Sequence, residues 1–372
     1  MDELTDTSSS AGQIYGVTSL LVVLGLPGTA FSLSPVALAQ HAPVYACSLS
    51  RDDLDGRVLA HRDAMRDATA PLVDAAQFTP DGFILGVDRM AKQVLLLDRD
   101  LEVVRVIGGE GKGPGEYEHP VAATMDEHGR VFVADSGGQG SILVFEKEGS
   151  FVQEHALPLF PNDLTTDGSL VYVSSSVINP GVLARETRNW MQRPALVAYD
   201  PVTGNSEVLL DVDESWAGER PLYWNTQADL IPRMGLDGHL YVGFARAYEI
   251  WRVTGVNAYE VVVQGCLPRE ALDLFRAAVT PAGQPRRGVL VLADFMVFED
   301  GRVLAANALY VDRTQKRSQD LFSPTGDPLR SWRLGPASAL LLSAVMDPRN
   351  PGLRFTWFDG TNRLVQFPDF IR

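Results

Sequence analysis

Four aspartates are distributed along the chain so that they could contribute to one binding site. Each lies near the beginning of an apolar segment that is predicted to be a strand. The residues are Asp74, Asp163, Asp229 and Asp294. Carboxylate oxygens are the ligands that calcium prefers in proteins, so converging carboxylates could bind a cation or a cationic ligand. Their spacing matches no stringent metal-binding motif, and four solvated turn residues are the alternative.

Other residues with catalytic potential form no recognisable motif. The six histidines include neither an HxH nor an HExxH pair, and no GxSxG is present. The glycine-rich segment 108–115 lacks the GxxxxGK[ST] spacing of a phosphate-binding loop. The residues therefore predict no metal ligand set, no serine nucleophile and no nucleotide site.

Three aromatic residues near the middle of the chain form a second candidate site. Trp216, Tyr223 and Trp224 lie in a segment that interrupts the strand pattern. An insertion of this kind could form a binding lip, whereas packing within the protein is the alternative for large aromatic side chains.

The elements that position these residues follow from an internal repeat. A turn ending in glycine precedes an apolar segment six times, at Gly82, Gly129, Gly168, Gly238, Gly301 and Gly352. Asp-Gly between apolar runs is a strong hairpin signal, and about 54 residues separate successive turns. The first five units each contain four apolar segments. The pattern predicts an all-β, six-bladed β-propeller of four-stranded antiparallel blades.

The ends of the chain are predicted to close this ring. The sixth unit has three predicted strands, which leaves an open edge. Residues 42–49 are a plausible extra strand, and we expect them to complete blade six. Cys47 would then lie on blade six and Cys266 on blade four, too far apart for a disulfide.

The propeller arrangement brings the candidate residues into one place. Innermost strands line a central channel, so the four aspartates are expected at a channel mouth. Polar residues also recur six positions after a turn glycine, at Asp88, Asp135, Ser174 and Asn307. Such side chains cap turns by binding backbone N–H groups, which predicts a structural clamp after each second strand.

Composition and the first residues indicate where the protein works. The net charge is -15, and an acidic surface disfavours nucleic acid as a partner. Residues 17–26 are apolar, and Ala37-Leu38-Ala39 has the small-x-small pattern of a signal cleavage site. The run is too short to cross a bilayer. Residues 1–39 are interpreted as a signal peptide, or as a disordered leader because basic residues are missing there, and residues 40–372 as the propeller. We expect an extracytoplasmic protein, periplasmic or secreted.

Residues 81–153 carry a resemblance to a known family. The segments GEGKGPGEY (109–117), GRVFVAD (129–135) and ILVFEKEGSFV (142–152) are similar to NHL-repeat and TolB-like six-bladed propellers. The resemblance implies a ring-shaped scaffold with a central channel, but no single activity.

Two functions remain open on this basis. The first is a monomeric binding scaffold for a protein, peptide or glycan, without a cofactor. The alternative is a metal-assisted hydrolase or lyase, lactonase-like or amidating-lyase-like, with its site at the channel mouth; calcium is the ion that the carboxylates favour.

Overall fold

The structure is a computed structural model, and the chain divides into two units, Met1–His41 and Ala42–Arg372. The described residues are 46–47, 51–54, 56–64, 66, 70–177, 194–211, 228–244, 248–265, 267–268, 292–311, 314–334, 343–358 and 361–367. The predicted leader, residues 1–39, lies outside them. No helix among the described residues has the length and apolar character needed to cross a membrane.

Three short strands precede the blades, and two consecutive antiparallel sheets follow. The N-terminal strands are β1 (Ala46–Cys47), β2 (Arg51–Leu54) and β3 (Arg57–Asp63). Blade one consists of β4 (Ala75–Phe78), β5 (Ile84–Asp88), β6 (Gln93–Leu97) and β7 (Val103–Ile107). A crossover with β8 (Gly109–Glu110) and β9 (Glu116–Tyr117) leads to blade two. Blade two consists of β10 (Pro120–Met125), β11 (Val131–Asp135), β12 (Ser141–Phe145) and β13 (Phe151–Ala156).

The next two blades are joined by a further strand pairing. Blade three consists of β14 (Pro161–Thr166), β15 (Val171–Val177), β16 (Pro194–Tyr199) and β17 (Ser206–Asp211). Blade four consists of β18 (Ala228–Met234), β19 (Leu240–Phe244), β20 (Glu249–Gly255) and β21 (Ala258–Gln264), followed by β22 (Leu267–Pro268). The end of β15 pairs with the start of β18, which links the two sheets.

The last two blades complete the six-bladed propeller. Blade five consists of β23 (Leu292–Val297), β24 (Val303–Val311), β25 (Thr314–Phe322) and β26 (Pro328–Leu334). Blade six contains β27 (Ser343–Asp347), β28 (Asn350–Phe358) and β29 (Thr361–Gln366), and its fourth strand is β3. The predicted all-β, six-bladed architecture of four-stranded antiparallel blades is confirmed.

An N-terminal strand closes the ring, but it is not the predicted one. β3 pairs antiparallel with β29, whereas β1, from the predicted segment 42–49, pairs in parallel with β22 after blade four. β2 adds in parallel to the outer strand of blade five. The prediction favoured the most apolar segment. Outer strands such as β13 are half exposed here, so a mixed segment such as β3 satisfies that position.

The pairing of β1 also removes the argument that Cys47 and Cys266 are too far apart for a disulfide. Cys47 lies beside Pro268 in the register of β1 and β22, not on blade six. Cys266 lies outside the described residues, so the placement on separate blades gives no argument about a disulfide.

Five of the six predicted turn glycines occupy the turn between the first and second strands. They have positive φ angles of 79° to 94°, a region that glycine adopts without steric penalty. The sixth assignment was wrong: the turn in blade six is Pro348-Arg349, and Gly352 lies inside β28. Pro348 supplies the restricted φ that suits the first turn position, so glycine is not required there.

The cores lie between consecutive blades. Leu85 and Leu96 of blade one pack with Val133 and Leu143 of blade two. Val345 and Phe355 of blade six pack with residues of blade one in the same way, including Ile84. Strands buried on both faces are therefore apolar at successive positions, as in β5, β11 and β19.

The predicted clamps are visible in the first two blades. Asp88 accepts hydrogen bonds from the N–H groups of Leu72 and Ala91, both at 2.8 Å. Asp135 accepts from three backbone N–H groups, those of Glu118 at 2.9 Å, His119 at 2.6 Å and Gly137 at 3.0 Å. Each carboxylate ties the chain entering the first strand to the turn after the second.

The glycine-rich segment 108–115 is the crossover between blades one and two. Gly108 has a φ of 67°, and a Cβ there would meet Tyr117 and Phe145. The Tyr117 hydroxyl accepts from Val94 N at 2.9 Å and donates to Ile107 O at 2.7 Å. Burial raises the pKa of Tyr117 to about 12. Gly108 therefore permits both the positive φ and the close packing of this crossover.

Candidate functional site

A cavity of about 400 Å³ lies in the central channel, where the innermost strands turn into the second strands. Residues from all six blades line it. Its polar residues include Gln77, Thr124, Thr165, Thr166, Arg233 and Asp294. Its apolar residues include Phe78, Met125, Met234, Phe295, Met296, Val345 and Met346. The cavity is concave and largely apolar, with a few converging polar groups, as ligand sites commonly are.

Arg233 is the centre of the polar side of this cavity. Its Nη1 donates to Oδ2 of Asp163 at 2.8 Å, and its Nε donates to Oδ1 of Asp294 at 2.9 Å. Nη1 also donates to the carbonyl oxygen of Pro232 at 2.7 Å. The guanidinium on blade four therefore bridges aspartates on blades three and five.

The charges of this trio depend on one another. Burial alone would lower the pKa of Arg233, but the two carboxylates outweigh it and hold the pKa above its ordinary value. Burial raises the pKa of Asp294, and Arg233 offsets that rise in part. Arg233 therefore stays protonated between the two aspartates.

The local backbone explains why two of the predicted aspartates meet. Asp163 is the third residue of β14, and Asp294 is the third residue of β23. Both strands have a register shift that ends at this aspartate, between Pro161 and Asp163 and between Leu292 and Asp294. A bulge re-aims the side chain that follows it. Equivalent bulges on blades three and five thus present both carboxylates to Arg233 between them.

Of the other two aspartates, Asp74 does not join this group. Oδ2 of Asp74 accepts from the N–H of Arg89 at 3.1 Å, at the start of β4. Burial raises the pKa of Asp74 above its ordinary value. Asp229 is paired with Ser176 in the register of β18, and its side chain lies outside the described part of the chain.

The sequence raised two further possibilities, a bound cation and an aromatic binding lip. Within the described ranges, no three or more His, Cys, Asp or Glu side chains converge as metal ligands would. Trp216, Tyr223 and Trp224 lie outside the described residues.

Sequence reasoning missed Arg233. The signal was available, because Arg233 interrupts the apolar part of an innermost strand, LIPRM, and the neighbouring repeats contain aspartates. A charged residue in such a strand requires a partner of opposite charge. Pairing it with Asp163 and Asp294 required knowing that blades three, four and five are adjacent around the channel.

A second cavity, of about 420 Å³, lies beside blade two. Most of its charged side chains have partners: Lys112 pairs with Glu118 at 2.7 Å, and Glu116 accepts from Gly113 N at 2.8 Å. Asp135 acts there as the clamp described above. This cavity is therefore lined mainly by groups that hold the crossover together.

Comparison with known proteins supports the architecture. The family model DUF5128, described as a 6-bladed β-propeller, matches residues 78–188. No curated protein matches the chain. A DUF4221-family protein from Bacteroides vulgatus is 7% identical, with a TM-score of 0.57, 86% of this chain covered and 99% of that chain.

Two further solved structures are similar in shape. A Bacteroides fragilis protein is 12% identical with a TM-score of 0.55, and the match covers 87% of this chain and 97% of that chain. The virginiamycin B lyase of Staphylococcus aureus is 9% identical with a TM-score of 0.47, covering 82% and 98%. At such identities, the two Bacteroides structures show a shared fold and nothing about activity, so the chain is a six-bladed β-propeller whose function rests on its own residues.

Proposed function

We propose that this protein is a monomeric binding propeller of the NHL or TolB-like type that works outside the cytoplasm. Its ligand is a peptide segment of a partner protein, bound in the channel cavity. The observation that supports this proposal most is the cavity itself, lined by the innermost strands of all six blades.

The chemistry of the walls favours a peptide. Four methionines from four blades line the cavity: Met125, Met234, Met296 and Met346. Methionine is flexible and polarisable, and surfaces rich in it accommodate varied side chains. Thr124 and Thr165 supply hydroxyl groups for a peptide backbone. A glycan would favour stacked aromatic faces, and the described lining contains two rings, those of Phe78 and Phe295.

The alternative, a metal-assisted hydrolase or lyase, has less support. Its site would use the channel carboxylates as metal ligands or as acid and base. Asp163 and Asp294 instead each use one carboxylate oxygen to bind Arg233. The proposal therefore includes neither a catalytic step nor a calcium ion.

Export is supported by the sequence. The apolar run at 17–26 and the small-x-small site before Gln40 are typical of a secretory signal. Protease protection of the chain in intact cells, and its loss after outer-membrane permeabilisation, would test this part separately.

The binding proposal can be tested with a peptide pool. N-acetylated random hexapeptides are equilibrated with the protein by dialysis, and retained peptides are identified by mass spectrometry. Leu236→Trp places a large ring on an exposed residue that lines the cavity mouth. Val202→Trp is the matched control, on a turn residue that is 82% exposed.

The expected result is retention by the wild type and by Val202→Trp, and about tenfold weaker retention by Leu236→Trp. That loss corresponds to about 1.4 kcal/mol. Absence of retained peptides with the wild-type protein, or equal retention by Leu236→Trp, would reject the proposal.

A further inference from the structure

Blades five and six face each other across a buried seam that contains two unusual polar residues. Arg354 of β28 is opposite Met346 and Val365 in the register of blade six. Gln319 of β25 is opposite Trp332 in blade five. Cross-strand partners share a sheet face. Met346, Val365 and Trp332 belong to one buried apolar cluster, so Arg354 and Gln319 face this same seam.

Neither side chain has all of its hydrogen-bonding groups satisfied. Arg354 is 0% exposed, and only its Nη2 has an acceptor, Pro351 O at 3.3 Å. Its Nε and Nη1 have none, and neither amide atom of Gln319, also 0% exposed, has a partner. These two residues hold four of the seven unsatisfied buried side-chain atoms in the described part of the chain. Within the described part of the chain, buried atoms without a hydrogen-bond partner are therefore concentrated in this seam.

The described residues around Arg354 compensate its charge only weakly. The guanidinium lies 5.2 Å from the centre of the Phe367 ring, a contact worth far less than a hydrogen-bonded ion pair. Burial lowers the pKa of Arg354 to about 9, and Asp294 offsets this only in part. Buried charges are ordinarily paired. Among the described residues no carboxylate pairs with this guanidinium, so a bound ligand could supply one.

The seam adjoins the channel cavity. Met296 and Met346 belong to the cluster around Arg354, and both also line the cavity. Asp294, whose charge acts on Arg354, lines the cavity as well. Methionine side chains rearrange readily. A ligand group could thus move from the cavity toward Arg354 by displacing two flexible thioethers.

We propose that this seam is a subsite for one carboxylate of the ligand bound in the cavity, with Arg354 as the cationic donor and Gln319 as a supporting amide donor. The inference rests on the proposed binding function. A single guanidinium beside the negative Asp294 suits a monoanion better than a dianion. A peptide C-terminus and a short fatty acid both carry such a carboxylate, so the experiment must separate them.

The experiment compares two hexapeptide pools that differ only in the C-terminus, a free acid and an amide, together with octanoate as a third probe. Wild-type protein is expected to retain the acid pool about tenfold better than the amide pool, the ratio expected for hydrogen bonds to a charged group. Arg354→Met should abolish this preference and still retain the amide pool. Gln319→Leu should reduce the preference less. If Arg354→Met does not fold, Arg354→Lys replaces it in the experiment. This variant should weaken the preference for the acid pool over the amide pool.

The outcomes separate this inference from the proposed function. Equal retention of acid and amide by the wild type, or an unchanged preference in Arg354→Met, overturns the carboxylate subsite and leaves peptide binding in place. If neither pool is retained, the peptide proposal fails. The subsite is then supported only if octanoate raises the melting temperature of the wild type and not of Arg354→Met, and it is overturned otherwise.

Discussion

Arg233 donates from Nη1 to Oδ2 of Asp163 at 2.8 Å, and this bond connects blade four to blade three across the wall of the channel. The same guanidinium reaches Asp294 on blade five through Nε. One side chain thus links three consecutive blades at the point where the cavity is most polar. This link holds the three blades together. It also limits the negative charge that a ligand in the cavity would meet.

Arg233→Met should therefore destabilise the protein strongly. Removing one partner of a buried ion pair leaves uncompensated charge, which typically costs about 3–5 kcal/mol. Asp294 is only 2% exposed at its side chain, so it cannot recover that energy from water. Urea unfolding of wild type and variant measures the difference. Lys112→Met, which breaks an exposed pair with Glu118, is the control and should leave the midpoint unchanged.

A compensating variant sharpens this test. Adding Asp163→Asn and Asp294→Asn to Arg233→Met removes the unpaired charges and should restore part of the lost stability. If the triple variant is no more stable than Arg233→Met, the loss arises from packing and the ion-pair explanation is wrong.

The buried Arg354 predicts a characteristic pH dependence. Its folded-state pKa of about 9 lies below the ordinary value of 12.5, so the folded protein releases this proton before the unfolded chain does. At neutral pH the buried charge destabilises the fold, and Arg354→Met should be more stable than the wild type. Above pH 9 the wild type should gain up to about 1.4 kcal/mol per pH unit relative to the variant.

Chemical denaturation at several pH values from 7 to 10.5 measures this gap between the two proteins. We expect the advantage of Arg354→Met to shrink as the pH rises above 9. A gap that is constant across the range would show that Arg354 does not lose its proton in the folded protein.

Asp135 should contribute substantially to stability through its three backbone hydrogen bonds. Asp135→Ala leaves the N–H groups of Glu118, His119 and Gly137 without their acceptor, at an expected cost of about 2–4 kcal/mol. Amide hydrogen exchange should accelerate at these three positions first. Glu154→Ala, on an exposed residue of β13, should leave both stability and exchange unchanged. Unchanged exchange in Asp135→Ala would contradict the clamp.

Ring closure can be tested with two truncations. Removing residues 1–55 takes away β1 and β2 but keeps β3, whereas removing residues 1–63 takes away β3 as well. Loss of β3 uncovers β29 and exposes Leu364 and Phe355 of the core between blades six and one. The longer truncation should aggregate or melt at least roughly 10 °C lower, as a loss of several kcal/mol implies. If the shorter truncation fails equally, β3 is not the decisive closure.

The architecture could be predicted from the sequence because each repeat is identified by its own turn residues and apolar strands. Turn glycines such as Gly129 and Gly238 require positive φ, and the strands between them are apolar, so blade number followed directly. The turn at Pro348-Arg349 carries no such glycine, and the pattern misled there. The closing strand β3 was missed because an outer strand is mixed in character, so apolar content does not identify it.

The site was less predictable because it depends on contacts between blades. Asp163 and Asp294 were identified as channel residues, but their role depends on Arg233, some seventy residues away from one and sixty from the other. The burial of Arg354 was not predicted, because it depends on how blade six packs against the facing residues of blade five, such as Trp332. Local patterns encode turns and strands, whereas the pairing of side chains across the channel follows from closure of the ring.

Binding of a peptide in the channel cavity can be observed by photo-crosslinking. Hexapeptides carrying benzoylphenylalanine are irradiated with the wild-type protein, and the modified residues are mapped by mass spectrometry. We predict crosslinks at Met125, Met234, Met296 and Met346, the methionines that line the cavity on four blades. Crosslinks confined to the cavity beside blade two or to the outer strands, with none at these methionines, would show that the channel cavity is not the peptide-binding site.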